Sequence, residues 1–204
     1  MGIVHGDCFP DNTLFNDNKL IAIIDFEDFG ISVGENYHIS TNSDIIFWFG
    51  YEQKKQFLKI NDGTQTIGSA DLTGLDSSYD STWKGLNVGL EHSFKYSHFK
   101  IKTNLFYHWM KYEAKANWNL SSSFQKPLSF EHEVNNATGL SYGLAIEYKL
   151  SKSTTLFTAY DKIDYTGKDG SNKQYLSDGS IGGSVLNEVN WESDKIAFGV
   201  TIKF

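Results

Sequence analysis

Between Gly139 and Leu150 the chain alternates without a break. Leu140, Tyr142, Leu144, Ile146, Tyr148 and Leu150 fall on one side, and Gly139, Ser141, Gly143, Ala145, Glu147 and Lys149 on the other. Successive side chains of a β-strand point to opposite faces, so this is a strand with one apolar face and one small or polar face. It is longer than the usual globular strand of about 5–6 residues. The pattern returns over 86–94, where Leu86, Val88, Leu90 and Phe94 oppose Asn87, Gly89, Glu91 and Ser93. It returns again over 99–109, where Phe99, Ile101, Leu105, Tyr107 and Trp109 oppose Lys100, Lys102, Asn104 and His108, with Phe106 as an apolar exception.

The connections between such strands alternate in length. Tyr96-Ser97-His98 and Ser151-Lys152-Ser153 are short enough only for tight antiparallel turns, whereas 64–78, 117–126 and 167–189 are long and polar. Six strands are expected, near 44–62, 79–95, 99–115, 127–150, 154–166 and 190–204. Short turns at one end and long loops at the other describe an outer-membrane barrel, with Trp83, Trp109, Tyr112 and Tyr148 as candidates for its aromatic girdles. A soluble β-sandwich or lipocalin-like barrel alternates too. Strand length argues against it, since some of these strands exceed the roughly 9–11 residues that cross a bilayer. The fold class expected is all-β: an antiparallel up-and-down transmembrane β-barrel, partial, with about six long strands and a short irregular N-terminal segment.

Composition agrees. The 204 residues include 15 Phe, 11 Tyr and 5 Trp against 2 Pro, a bias toward residues that suit a pleated, half-buried surface. A net charge of −7 without a Lys/Arg cluster excludes the basic face that nucleic-acid binding requires. The single cysteine, Cys8, forms no intrachain disulfide and has no metal-ligand spacing. No run approaches the roughly 18 apolar residues of a membrane-spanning helix. The start, MGIVHGDCFPDN, has neither the basic onset nor the apolar stretch of a secretory signal.

The chain closes on 195-KIAFGVTIKF-204, in which Ile196, Phe198, Val200 and Ile202 precede Phe204 at steps of two. This resembles the C-terminal assembly signal of bacterial outer-membrane proteins and implies the barrel assembly machinery as a partner. More widely, 46-IFWFGYEQKKQFLKINDG-63, 85-GLNVGLEHSFKYSHFKIKTNLFYHWM-110, 139-GLSYGLAIEYKLSKSTTLFTAY-160 and the closing strand resemble the last six strands of the omptin family. Omptins are ten-stranded outer-membrane endopeptidases of aspartic type. The resemblance implies the outer membrane of a Gram-negative bacterium, with membrane lipid and lipopolysaccharide as partners and a protein or peptide at the extracellular loops. It implies no cofactor. Omptins activate water with an Asp–Asp pair on an early loop and an Asp–His pair on a later one. The early pair is expected on strands preceding those seen here. At the later pair this chain reads 112-YEAKANWNL-120 and places Ala116 and Trp118 where the family has Asp and His. Neither can act as the general base within reach of the attacking water. His108, His132, Asp161 and Asp164 are read as ordinary polar positions.

The first 30 residues have another texture. The stretch 2-GIVHGDCFPDNTLFNDNKLIAIIDFEDFG-30 resembles the catalytic loop of homoserine kinases and the aminoglycoside-phosphotransferase-like kinases, an H-G-D, an Asn five residues after its Asp, and an I-D-F. The resemblance implies Asp7 as the base that takes the substrate hydroxyl's proton, and Asn12 and Asp25 as ligands of a Mg²⁺ bound with ATP. A strand-borne Lys and a phosphate-covering loop are missing from the chain as written, and about 30 residues cannot bury a core of their own. Asp7, Asn12 and Asp25 are therefore expected to be vestigial. The organisation expected is a kinase-like fragment over 1–30, a junction over 31–43, and an omptin-like barrel portion over 44–204, as though two truncated genes had been joined. Three functions stay open: an omptin-like barrel of endopeptidase ancestry that is catalytically incomplete, a truncated small-molecule kinase, and a non-enzymatic surface adhesin. Six strands cannot close as the smallest single-chain barrels of about eight do, so further strands or a partner are expected.

Overall fold

The computed structural model describes the backbone of residues 13–16, 19–61 and 74–203, and the side chains of those from residue 30 onward. Eight strands make one antiparallel sheet in sequence order: β1 (Thr13–Asn16), β2 (Lys19–Ser40), β3 (Ser43–Ile60), β4 (Ser77–Tyr96), β5 (Phe99–Asn117), β6 (Phe130–Lys149), β7 (Thr154–Tyr175) and β8 (Ile181–Ile202). Among the described residues β8 pairs only with β7, so the sheet is open.

The two residues Thr41-Asn42, the two residues Ser97-His98 and the short Leu150–Ser153 link join strands at one end. The longer connections lie at the other. The alternation explains the faces. On β5, Phe99, Ile101, Leu105, Tyr107 and Trp109 point outward and are exposed, while Phe106, His108 and Met110 point inward and are covered. Trp109 pairs with Leu86 of β4, and Tyr107 with Leu140 of β6, so the apolar rows line up into one band. The stretch from Phe99 to Trp109, at about 3.3 Å per residue and tilted about 40°, spans about 25 Å, the height of an outer-membrane apolar band.

Above Trp109 the outward face changes character at once. Lys84 contacts Glu113 at 2.5 Å, and Lys111 contacts Glu113 at 2.9 Å and Glu133 at 2.8 Å, forming a charged belt across β4, β5 and β6. Strands of 18 to 22 residues tilted by about 40° rise about 45–55 Å, so their upper halves project well beyond the band.

That projection corrects one expectation. Residues 167–189 are not a loop. They are the upper parts of β7 and β8, paired from Gly167↔Val189 to Tyr175↔Ile181, with a short turn between. Their polarity on both faces reflects water on both sides, which removes the alternation that marks the lower parts. The six expected strands are present, and β2 precedes them as a further long strand. Residues 31–40 belong to β2, with Ile31, Val33, Tyr37 and Ile39 outward and exposed.

The inward side packs tightly near the long-loop end. Trp83, Met110, Tyr112, Ala114, Val134, Ala137 and Tyr165 form one buried cluster. On the same inward side, four aromatic residues lie over glycines directly across a strand pair: Trp48 over Gly34, Phe106 over Gly89, Tyr165 over Gly139 and Phe157 over Gly199. Aromatic cover of this kind restores the packing a sheet glycine gives up.

Candidate functional site

The inward face carries a polar cluster at the top of the apolar band. Glu52 lies on β3, His108 on β5, Ser141 on β6 and Tyr165 on β7. Neighbouring strands are about 4.8 Å apart, so Glu52 must cross β4 to meet His108. Its partner on β4 is Gly85, which has no side chain to obstruct it. Likewise Gly139, opposite His108, lets the Tyr165 ring cross β6.

The contacts are close. Glu52 Oε1 lies 2.5 Å from His108 Nδ1. This approach falls off the ring's hydrogen-bonding direction, because Nδ1 has no satisfactory hydrogen bond of its own. Tyr165 Oη donates to the same Glu52 oxygen at 2.9 Å. On the other side of the ring, His108 Nε2 and Ser141 Oγ are 2.8 Å apart. The His108 side chain is 4% exposed and that of Glu52 16%. Tyr165 packs edge-on against His108 with ring centroids 5.2 Å apart, and the Lys54 ammonium lies 5.4 Å from the centroids of Tyr165 and Trp191. Two clefts of about 500 and 550 Å³ flank the cluster; Lys54, Phe106 and Ser141 line both.

A second cluster stands higher, above the apolar band. Tyr79 Oη is 2.6 Å from Tyr112 Oη and 2.9 Å from His132 Nδ1. Burial holds both phenols above their ordinary range and lowers His132 below its own. The phenols therefore keep their protons, and the neutral imidazole accepts one at Nδ1.

The residues singled out from sequence fall as follows. Ala116 is 5% exposed and faces inward on β5 between Tyr79 and Phe130. Trp118 lies past the end of β5, 37% exposed, and its backbone N–H donates to Ser129 Oγ at 2.9 Å. Asp161 faces inward opposite Gly143 and lines the second cleft. Asp164, between Leu140 and Glu192, faces outward. Ile196, Phe198, Val200 and Ile202 make one outward row on β8, all more than half exposed. Asp7, Asn12 and Phe204 lie outside the described residues, as does the side chain of Asp25, whose backbone is in β2 opposite Phe57. Among the described residues no group of three His, Cys, Asp or Glu side chains could hold a metal ion. The proximity of Glu52, His108 and Ser141 was missed, since no sequence spacing signals it.

Comparison with known proteins bears on this sheet in two ways. The family model described as Protochlamydia outer membrane protein matches residues 22–204. The chain belongs to this family. It is an outer-membrane protein, and its lipid environment explains the exposed aromatic and aliphatic rows. Among solved structures, the outer membrane protease OmpT from Escherichia coli superposes with a TM-score of 0.64 at 13% identity, covering 93% of this chain and 70% of that one. The chain thus shares the fold of that outer-membrane protease over most of its own length. A model of the phosphotransferase enzyme family matches residues 1–33, overlapping the first at 22–33. No curated protein matches.

Proposed function

We propose that this chain forms the wall of an outer-membrane barrel of omptin ancestry that does not perform aspartic-type endopeptidase chemistry. The observation that carries this reading is the pair Ala116 and Trp118. Ala116 is sealed between Tyr79 and Phe130, and neither side chain can accept a proton from water. The nearest imidazole along the inward face, His132, is bound to Tyr79 rather than to a carboxylate. A base needs a partner that orients it and a water within reach.

What the fold offers instead is a surface. The β7–β8 hairpin stands above the apolar band and exposes Ile181 (65%) and Val185 (64%) near its tip, side chains suited to contact with a protein or peptide. The Lys84–Glu113–Lys111–Glu133 belt sits where outer-leaflet lipopolysaccharide headgroups lie. Ile196, Phe198, Val200, Ile202 and Phe204 serve as the strand read by the assembly machinery. In this reading the HGD-N-IDF segment performs no phosphoryl transfer and takes up neither Mg²⁺ nor ATP, because the backbone of Asp25 is part of a sheet strand paired with β3 rather than of a kinase catalytic loop.

The test is peptide cleavage by the refolded chain in detergent with lipopolysaccharide, before and after the paired change Ala116→Asp and Trp118→His. No cleavage by the unaltered chain is expected. Cleavage that survives substitution of every inward carboxylate near the long-loop end would also contradict an aspartic-type ancestry of mechanism, and any cleavage by the unaltered chain overturns the proposal.

A further inference from the structure

We propose that Ser141, His108 and Glu52 form a serine-type acyl-transfer site on the inward wall, acting on small carboxylic esters. This stands apart from the loop-end positions discussed above and rests on geometry alone. A hydroxyl becomes a nucleophile when a base touches it and a third group orients that base. Ser141 Oγ is 2.8 Å from His108 Nε2. The opposite ring nitrogen is 2.5 Å from Glu52 Oε1. Hydroxyl, imidazole and carboxylate therefore lie in order across three strands, with the carboxylate close to Nδ1 but off its hydrogen-bonding direction, and Tyr165 holds the same carboxylate oxygen at 2.9 Å.

Four further observations distinguish this cluster from a structural hydrogen-bond chain. Ser141 is partly exposed and lines two clefts. The clefts have the size of ligand pockets, typically about 300–1,000 Å³, at about 500 and 550 Å³. Lys54 lines both and carries the positive charge that a developing oxyanion requires. Phe106 and Trp48 give the first cleft an apolar wall for an acyl chain.

The chemistry balances without a co-reactant other than water. In the Nδ1–H tautomer, Ser141 donates its O–H to Nε2. The serine oxygen bonds to the ester carbonyl carbon, its proton passes to Nε2, and the carbonyl electron pair moves to oxygen, facing Lys54. Collapse breaks the bond to the alcohol, which leaves with the proton from Nε2. Water then gives a proton to Nε2 and attacks the acyl carbon. Ser141 departs with that proton, and the carboxylic acid is released. Ser141 and His108 are the catalytic residues. Glu52 is a positioning residue that orients the imidazole; its present off-axis approach would straighten as the ring takes up charge.

The experiment uses the full chain, refolded in detergent and shown to be folded by heat-modifiable migration. It is treated with a fluorophosphonate probe and, separately, with 4-nitrophenyl butyrate. Phosphonylation at Ser141, mapped by mass spectrometry, and ester turnover with a burst are expected. Both should vanish in Ser141→Ala and fall at least about a hundredfold in His108→Gln. Glu52→Gln should lower turnover and displace its pH profile, with partial rescue by Glu52→Asp. Absence of label at Ser141 in the folded, unaltered chain overturns the proposal without recourse to any variant. So does labelling at an unchanged rate in folded His108→Gln. Peptide cleavage is scored separately, so failure here leaves the loop-end reading intact, and the reverse.

Discussion

The ring of Tyr165 lies across the backbone of Gly139, its partner on β6, and occupies the space where a side chain at 139 would begin. The same ring is fully buried, reaches Glu52 through its hydroxyl and meets His108 edge-on. One glycine thus admits the residue that ties β7 to β5 and β3. Gly139→Val is expected to displace the ring and destabilise the folded chain by about 1–3 kcal/mol, as overpacking does. Urea titration of the heat-modifiable form measures it, and an unchanged midpoint contradicts this account.

Tyr165→Phe keeps the ring and removes only the hydroxyl. Glu52 then loses a donor in a site where its side chain is 16% exposed. A loss of about 1–2 kcal/mol is expected, the usual penalty for a covered polar group deprived of its partner. Gly139→Val should cost at least as much, because it disturbs the same contact and the packing as well.

How far these relations were legible differs by level. The lower strands could be read directly, since lipid on one side and a polar interior on the other force the period of two seen at 99–109 and 139–150. The short turns at Ser97-His98 and around Ser151–Ser153 followed from the spacing between those strands. The upper parts of β7 and β8 were not legible. With water on both faces nothing selects an alternation, and GKDGSNKQYLSDGS has the composition of a loop. Strand β2 was hidden in part because its inward positions Gly30, Ser32 and Gly34 resemble turn residues. The Glu52–His108–Ser141 cluster depends on register across four strands and on glycines that allow long reaches, neither of which is local.

Within the apolar band the outward positions are expected to reject charge. Leu105 lies mid-band on β5 and is 44% exposed to its surroundings. Leu105→Arg should destabilise the folded state in bilayers by about 2–4 kcal/mol, the range found near a bilayer midplane. Lys111→Ala, six residues above, should cost far less than Leu105→Arg, because its pairs with Glu113 and Glu133 are partly exposed and screened by water. Equal effects at the two positions would place the membrane boundary elsewhere.

Acid should weaken the upper cluster. Burial lowers His132 below its ordinary value, so the unfolded chain binds a proton there more readily than the folded one. Stability from this group is complete above the unfolded value of about 6.5 and declines as pH falls below it. Unfolding midpoints compared at pH 7.5 and pH 5 should show a loss that His132→Asn reduces. A pH dependence identical in the two chains contradicts the assignment.

The most direct measurement of the whole account is a spin-label scan of single cysteines from Lys100 to Trp109 in a Cys8→Ser chain reconstituted into lipid vesicles. Labels at 101, 103, 105, 107 and 109 should be accessible to oxygen dissolved in the acyl region, and labels at the intervening positions shielded from it, giving a period of two along β5. Accessibility without that alternation, or equal exposure of both sets to a water-soluble relaxant, would contradict the placement of this sheet in the membrane.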